Sequence, residues 1–230
     1  MRKLSDADTG GHGLSLLHAD THLLVFDKPS GLLSVPGRGA DKQDCMAARA
    51  QRAYPDALVV HRLDMATSGL WLMARGADMQ RRMSSAFAQR EVGKRYAAVV
   101  TGRLETPASS TDGWSLIDLP LAADWPNRPR RVVDHEHGKP SQTRWRVLES
   151  ALGAGGRGGT TRLELEPLTG RSHQLRVHLQ ALGHPIVGDT LYAPAEVQAQ
   201  SPRLLLHATG LRFTHPATGE ALAFSSACPF

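Results

Sequence analysis

The sequence predicts an α+β domain built on a mostly antiparallel sheet. Three observations lead there: short apolar runs outnumber helical stripes, the two kinds do not alternate as they would in a doubly wound parallel fold, and no internal repeat occurs. The elements follow in order. Residues 14–17 and 23–26 read as short strands broken by Asp20 and Thr21. Asp27-Lys28-Pro29-Ser30-Gly31 is a turn whose backbone Pro and Gly set. Residues 47–53 favour a helix, and Tyr54-Pro55-Asp56 stops it, because the residue before proline avoids helical geometry.

Leu58-Val59-Val60 is a buried-strand candidate that runs straight into His61-Arg62-Leu63-Asp64, and residues 69–74 form the next strand. Met79, Met83 and Phe87 recur every four residues and mark the core face of a helix over residues 77–89. Residues 96–100 are a strand closed by Thr101-Gly102, and 125–139 reads as a basic loop. Further strands are expected at 143–148, 162–166 and 204–213, separated by a helix with Leu175, Leu179 and Leu182 on one face. Residues 1–13 are polar and glycine-rich, a flexible tail ahead of one domain over 14–230 with no second core.

Composition narrows the class. Hydrophobic residues at 41% and charged residues at 21% are ordinary for a soluble globular protein. No apolar run approaches the roughly 18 residues of a membrane helix, and residues 1–13 lack a signal peptide's apolar stretch, so a cytoplasmic protein without membrane contact is expected. The two cysteines, Cys45 and Cys228, are far apart, which argues against a disulfide framework or a cysteine zinc site. A net charge of +5 and a pI near 9.6 point weakly to a polyanion, and a basic protein with no nucleic-acid role fits them equally well.

One segment misleads. Gly153-Ala154-Gly155-Gly156-Arg157-Gly158 has the spacing of a dinucleotide fingerprint, but that motif must open a helix. A strand-like run, 160–166, follows instead, so a flexible hairpin tip is the better reading.

Three polar clusters can carry chemistry. His61-Arg62-Leu63-Asp64-Met65-Ala66-Thr67-Ser68-Gly69 lies between two apolar strands, where a rigid scaffold can present a site. Asp64 there is a nucleophile, a general base or a turn-maker capping Thr67 or Ser68, and local chemistry alone favours the turn-maker. A Ser-His-Asp hydrolase from Ser68, His61 and Asp64 is too crowded for the required geometry. In Thr169-Gly170-Arg171-Ser172-His173-Gln174-Leu175-Arg176-Val177-His178, Ser172 can cap a helix. Arginines in its first turns oppose the helix dipole and so suggest an anion, carboxylate or phosphate. His173 and His178 are five apart, off the four-residue spacing of helical zinc ligands, and read as core hydrogen-bonders. The stretch Trp125-Pro126-Asn127-Arg128-Pro129-Arg130-Arg131, with Lys139, Arg144 and Arg146 beyond, suits RNA backbone contacts, though a solvated loop fits nearly as well. Asp134-His135-Glu136-His137 is too contiguous to converge on a metal, and no metal site is expected.

Taken together, these segments resemble the RluA family of RNA pseudouridine synthases. His61 to Gly69 looks like the family's catalytic motif, with the catalytic aspartate at Asp64. Lys94-Arg95-Tyr96 resembles the second motif, whose tyrosine stacks on the target base, and Gly170 to His178 the third, with Arg176 expected to pair with the aspartate. Leu205-Leu206-His207-Ala208 is similar to the strand lining the uracil pocket, and residues 26–31 and 34–38 also look familial. The order and spacing match over about 14–224. The chain resembles the compact branch that lacks an S4-type RNA-binding domain and acts on both large-subunit rRNA and tRNA, through 124–130 and Gly138-Lys139-Pro140.

The resemblance implies the pseudouridine synthase fold, a mostly antiparallel mixed sheet flanked by helices around a central RNA-binding cleft. It implies uridine isomerisation after base flipping, with Asp64, Tyr96 and Arg176 catalytic. His61, Arg62, Thr67, Arg128, Arg130, Arg171, His173, Gln174 and Leu206 are expected to bind RNA or the base. No cofactor is expected, since no redox step or group donor is involved, and no obligate protein partner is evident. Two rivals come from other classes: a non-catalytic RNA-binding module that kept the fold, and a nucleoside glycosidase, which needs a water route and usually a second carboxylate.

Overall fold

The structure, a computed structural model, describes residues 13–107, 112–152 and 158–230. The expected tail, apart from Gly13, and the core of the glycine-rich tip (153–157) lie outside the described residues. The chain folds as two compact units, one formed by the segment up to Gly93 with Ala208–Cys228, the other by Lys94–His207 with Pro229–Phe230. The sequence showed no second core because the boundaries fall inside strands, with no linker to mark them.

The first unit begins with β1 (Ser15–Ala19) and β2 (Leu23–Lys28), antiparallel about a turn in which the Asp20 carboxylate takes the backbone N–H groups of His22 and Leu23. A 3-10 turn (Ala40–Lys42) and helix α1 (Met46–Ala53) follow. The buried Cys45 caps α1, accepting the N–H of Ala48, and the helix stops at Tyr54 as the following proline predicts. Strand β3 (Ala57–Val59) pairs antiparallel with β4 (Ser68–Arg75), which also pairs antiparallel with β2. Leu70 to Ala74 are all buried, so β4 reads as a continuous apolar run instead of alternating: both of its faces are covered. Helix α2 (Ala77–Ala88) packs on it through Met79 and Met83, as their spacing predicts. Gly69 has φ +107°, and a Cβ there would lie 2.3 Å from the carbonyl oxygen of Ala208, so only glycine fits where β4 begins.

In the second unit, β5 (Gly93–Thr101), β10 (Gly159–Pro167), β9 (Gln142–Leu152) and β6 (Ser115–Asp118) lie in that order, each antiparallel to the next. Gly159 pairs with Leu152, so the glycine-rich segment joins two strands of a hairpin, as its composition suggests. Along β10 the pleat alternates: Thr161, Leu163 and Leu165 are buried, while Arg162, Glu164 and Glu166 face the other way. Glu164 and Glu166 are met by Arg95, Arg144 and Arg146, and the Trp114 ring lies over all three guanidinium groups at 4.5–5.0 Å. Arg144 and Arg146 each meet a neighbouring glutamate, which cross-strand pairing brings opposite them.

The basic segment 125–139, expected as loop, contains β8 (Arg131–Val133), which pairs with β7 (Leu121–Ala123) in a separate ribbon. Three-residue strands are too short to show a pattern of alternation. Asp134 makes the turn beyond, accepting the N–H groups of Glu136 and His137. Helix α3 (Gln174–Ala181) packs on the ribbon through a cluster of Leu121, Val177 and Tyr192, and ends before Leu182. A one-turn helix, α4 (Ala195–Gln198), precedes β11 (Leu206–Thr214), whose later half pairs with β12 (Ala221–Ser225) in the first unit.

Candidate active site

Asp64 lies half-buried on the loop between β3 and β4, flanked by the exposed Arg62 and Met65 and the buried Leu63 and Thr67. The loop turns tightly: the N–H of Thr67 donates to the carbonyl of Asp64 at 3.1 Å. Its main chain is held from below by the segment that the sequence showed only as a turn. Lys28, fully buried, donates through Nζ to the carbonyls of Met65 (3.0 Å), Leu32 (2.6 Å) and Pro29 (2.8 Å). Ser30 Oγ donates to the carbonyl of Ala66, and the N–H of Gly31 donates to that of Met65. Ser34 Oγ donates to the carbonyl of Leu63 and accepts its N–H, at 2.8 and 3.1 Å. A buried ammonium surrounded by carbonyls is stable only because each of these dipoles turns its negative end toward it.

His61 anchors the start of the same loop. Its Nε2 accepts the N–H of Leu72, its carbonyl accepts Trp71 Nε1–H, and its ring stacks on Phe87 with centroids 4.6 Å apart. These bonds assign His61 a positioning role that its place in the motif did not reveal.

In the second unit, Tyr96 is half-buried on β5, opposite Leu165 of β10. The pleat sends it to the other sheet face from Arg95 and the Trp114 cluster. Arg176 is buried in the first turn of α3, where it meets the fully buried carboxylate of Asp189, a residue other than the aspartate that the resemblance named as its partner. Nε donates to Oδ2 at 2.8 Å and Nη2 to Oδ1 at 2.7 Å, a two-pronged pair. Asp189 also accepts the N–H groups of Leu191 and Tyr192, so the carboxylate is itself fixed. Tyr192 completes the mount: Arg176 and Arg130 lie against its ring at 5.0 and 5.5 Å, and its hydroxyl meets His173 Nδ1 and the N–H of Arg131. Neither Asp189 nor Tyr192 was singled out in the sequence, where the only available signal was a Gly-Asp pair ahead of a tyrosine.

The helix start differs from expectation. Ser172 is not the cap; the cap residue is His173, at φ +58°, with no side-chain capping bond. Gln174 instead ties down the segment ahead of the helix, its Oε1 accepting the N–H of Arg171 and the hydroxyl of Thr169. Its Nε2 donates to the carbonyl of Gln142 and to Thr143 Oγ1, so the whole amide is committed within the unit. Arg171 lies ahead of the helix and is exposed. Leu206 is buried, and the preceding Leu205 is tied to Val99 and Val187 by backbone bonds. Arg128 and Arg130 sit on the loop joining β7 and β8.

Two histidine groups are structural. His178 is buried between Thr143 Oγ1 and the carbonyl of Leu119, and burial pushes its pKa down. Asp20, His22 and His215 converge in the first unit, but His215 Nδ1 accepts the N–H groups of Ala217 and Thr218. Its proton is therefore on Nε2, which faces Asp20 at 3.5 Å and is closed to a metal ion. Burial raises the Asp20 pKa, but the bonds from His18, His22 and Leu23 outweigh it and hold the carboxyl below its ordinary value.

Comparison with known proteins identifies the class. A family described as RNA pseudouridylate synthase matches residues 22–181. The dual-specificity RNA pseudouridine synthase RluA of Escherichia coli K12 is 49% identical over 217 residues, covering 94% of each chain. Its counterpart in Yersinia pestis is 46% identical, covering 94% of this chain and 99% of the relative. Among solved structures, human RNA pseudouridylate synthase domain containing 1 superposes with a TM-score of 0.74 at 29% identity, covering 95% of this chain and 85% of that one. The chain belongs to the RNA pseudouridylate synthase family, and within it to the RluA group. It is an isomerase that converts uridine in RNA to pseudouridine.

Proposed function

We propose that this enzyme modifies uridines in hairpin loops of both large-subunit rRNA and tRNA in the cytoplasm, acting as a single catalytic domain over 14–230 without an obligate partner. The observation that carries the reading is the Asp64 loop, a half-buried carboxylate on a main chain clamped by Lys28, Ser30 and Ser34. Such a mount suits a group that must meet a reacting atom without reorganising. In this reading the target nucleotide leaves its stack, the bond from C1′ to N1 breaks, and the freed uracil turns. A bond from C1′ to C5 then forms, the C5 proton is lost and N1 gains one, so nothing is consumed.

Asp64 is the carboxylate that drives the exchange, Tyr96 stacks on the base, and Arg176, its guanidinium held by Asp189, is the third catalytic group in this scheme. Leu206 lines the uracil, Arg62 and Thr67 hold the flipped nucleotide, and Arg128, Arg130 and Arg171 bind the RNA backbone. His61, His173 and Gln174, expected on the RNA or the base, act in this reading through the internal bonds that hold the loop and the helix start. Tyr96→Phe should slow catalysis while leaving affinity nearly intact, and Tyr96→Ala should harm both; equal binding losses would rule out stacking.

The broader test incubates the purified enzyme with an rRNA hairpin and a tRNA anticodon arm, and maps pseudouridine by chemical labelling. Modification of both is expected, because a small footprint can read loop shape and splayed bases. Modification of an assembled ribosomal particle alone would overturn hairpin recognition, and free uracil in place of pseudouridine would favour the glycosidase.

A further inference from the structure

Of the four tryptophans, Trp71 and Trp145 are buried and Trp114 is half-buried among arginines, but Trp125 is 68% exposed. It is not loosely held. The Asp124 carboxylate accepts the N–H and the side-chain amide of Asn127. The carbonyl of Asn127 accepts the N–H of Arg130, whose own carbonyl accepts the N–H of Asp124. The result is a closed loop on the β7–β8 ribbon, anchored through Arg131 N–H to the buried Tyr192 hydroxyl. On that loop the guanidinium carbon of Arg128 lies over the indole, 3.4 Å from the ring centroid. With one face covered, the exposure belongs to the opposite face and the ring edge.

We infer that the outer face of Trp125 is a stacking platform for an unpaired base of the RNA substrate, an inference that rests on the RNA reading above. Three arginines, Arg128, Arg130 and Arg131, lie within six residues of the indole, and the loop's own carboxylate, Asp124, is turned inward onto Asn127. An exposed aromatic ring backed by one arginine, in a loop with further arginines, matches a nucleotide, whose base has a π-face and whose flanking phosphates are anionic. An apolar protein partner would instead call for neighbouring apolar side chains, and Pro126, Asn127, Arg128 and Pro129 supply few. The cation beneath the ring fixes its orientation before RNA arrives.

The test compares wild type, Trp125→Phe and Trp125→Ala on a hairpin that wild type modifies, with melting temperature as the folding control. Trp125→Ala should lose roughly 5- to 150-fold in affinity, the equivalent of about 1–3 kcal/mol per stacked base. The loss should fall on Kd and KM rather than kcat, leave the salt slope unchanged, and be largely recovered in Trp125→Phe. RNA should quench tryptophan emission in wild type, and most of that quenching should vanish in Trp125→Phe. An abasic nucleotide at the contacted position should cost wild type the same factor and Trp125→Ala nothing more. Wild-type affinity and quenching in the variants would overturn the platform, as would an equal loss on a fully paired duplex or a Trp125-dependent self-association. A wild type that neither binds nor modifies any hairpin would instead sink the parent reading.

Discussion

The Asp64 loop and the start of α3 hold their key residues by different means. Around Asp64 the protein grips main chain: Lys28, Ser30 and Ser34 take the carbonyls of Met65, Ala66 and Leu63, and the carboxylate is carried along on a fixed frame. Around Arg176 it grips the side chain itself, through a buried carboxylate and an aromatic ring. The difference follows from reach. A short aspartate is aimed once its backbone is fixed, whereas a long arginine has several torsions to lose and needs its head group held.

The largest effect is expected at Asp64. Asp64→Asn keeps the shape but removes the nucleophile or base, and should reduce pseudouridine formation about 1,000-fold or more with RNA affinity retained. Substantial turnover by the purified variant would remove Asp64 from its role. Next is the side-chain grip: Asp189→Ala leaves a buried guanidinium uncompensated and should cost about 3–5 kcal/mol in urea unfolding. A loss under about 1 kcal/mol would mean that the fork is not what holds Arg176.

The main-chain grip should cost less per contact. Ser34→Ala deletes two hydrogen bonds to a single residue, Leu63, and should cost about 1–3 kcal/mol, with a kcat loss measured at saturating RNA. Lost stability with unchanged kcat would show that the clamp supports the fold without aiming Asp64.

The smallest effect is one of pH. His178 is buried with a depressed pKa, so its unfolded form takes up a proton first, and stability should fall as pH drops below about 6.5 toward the folded value. Asp118 nearby counters part of that shift. The melting temperature of wild type should therefore drop more between pH 7.5 and 5.5 than that of His178→Gln; parallel drops would exclude His178 as the group.

The sequence by itself determined most strands, the three longer helices and the family, because apolar periodicity, proline punctuation and motif order are local properties written along the chain. Asp64, Tyr96 and Arg176 were singled out in it because each belongs to a contiguous motif that resembles the family's. Short elements such as β7 and β8 escaped it, since three residues carry too little periodicity to register. Only the tertiary structure decided what holds the motifs. Lys28 read as part of a turn and Asp189 was not singled out, yet both are fully buried against groups 37 and 13 residues away in the chain. A buried charge must find its partners through space, and the distance along the sequence says nothing of which they are.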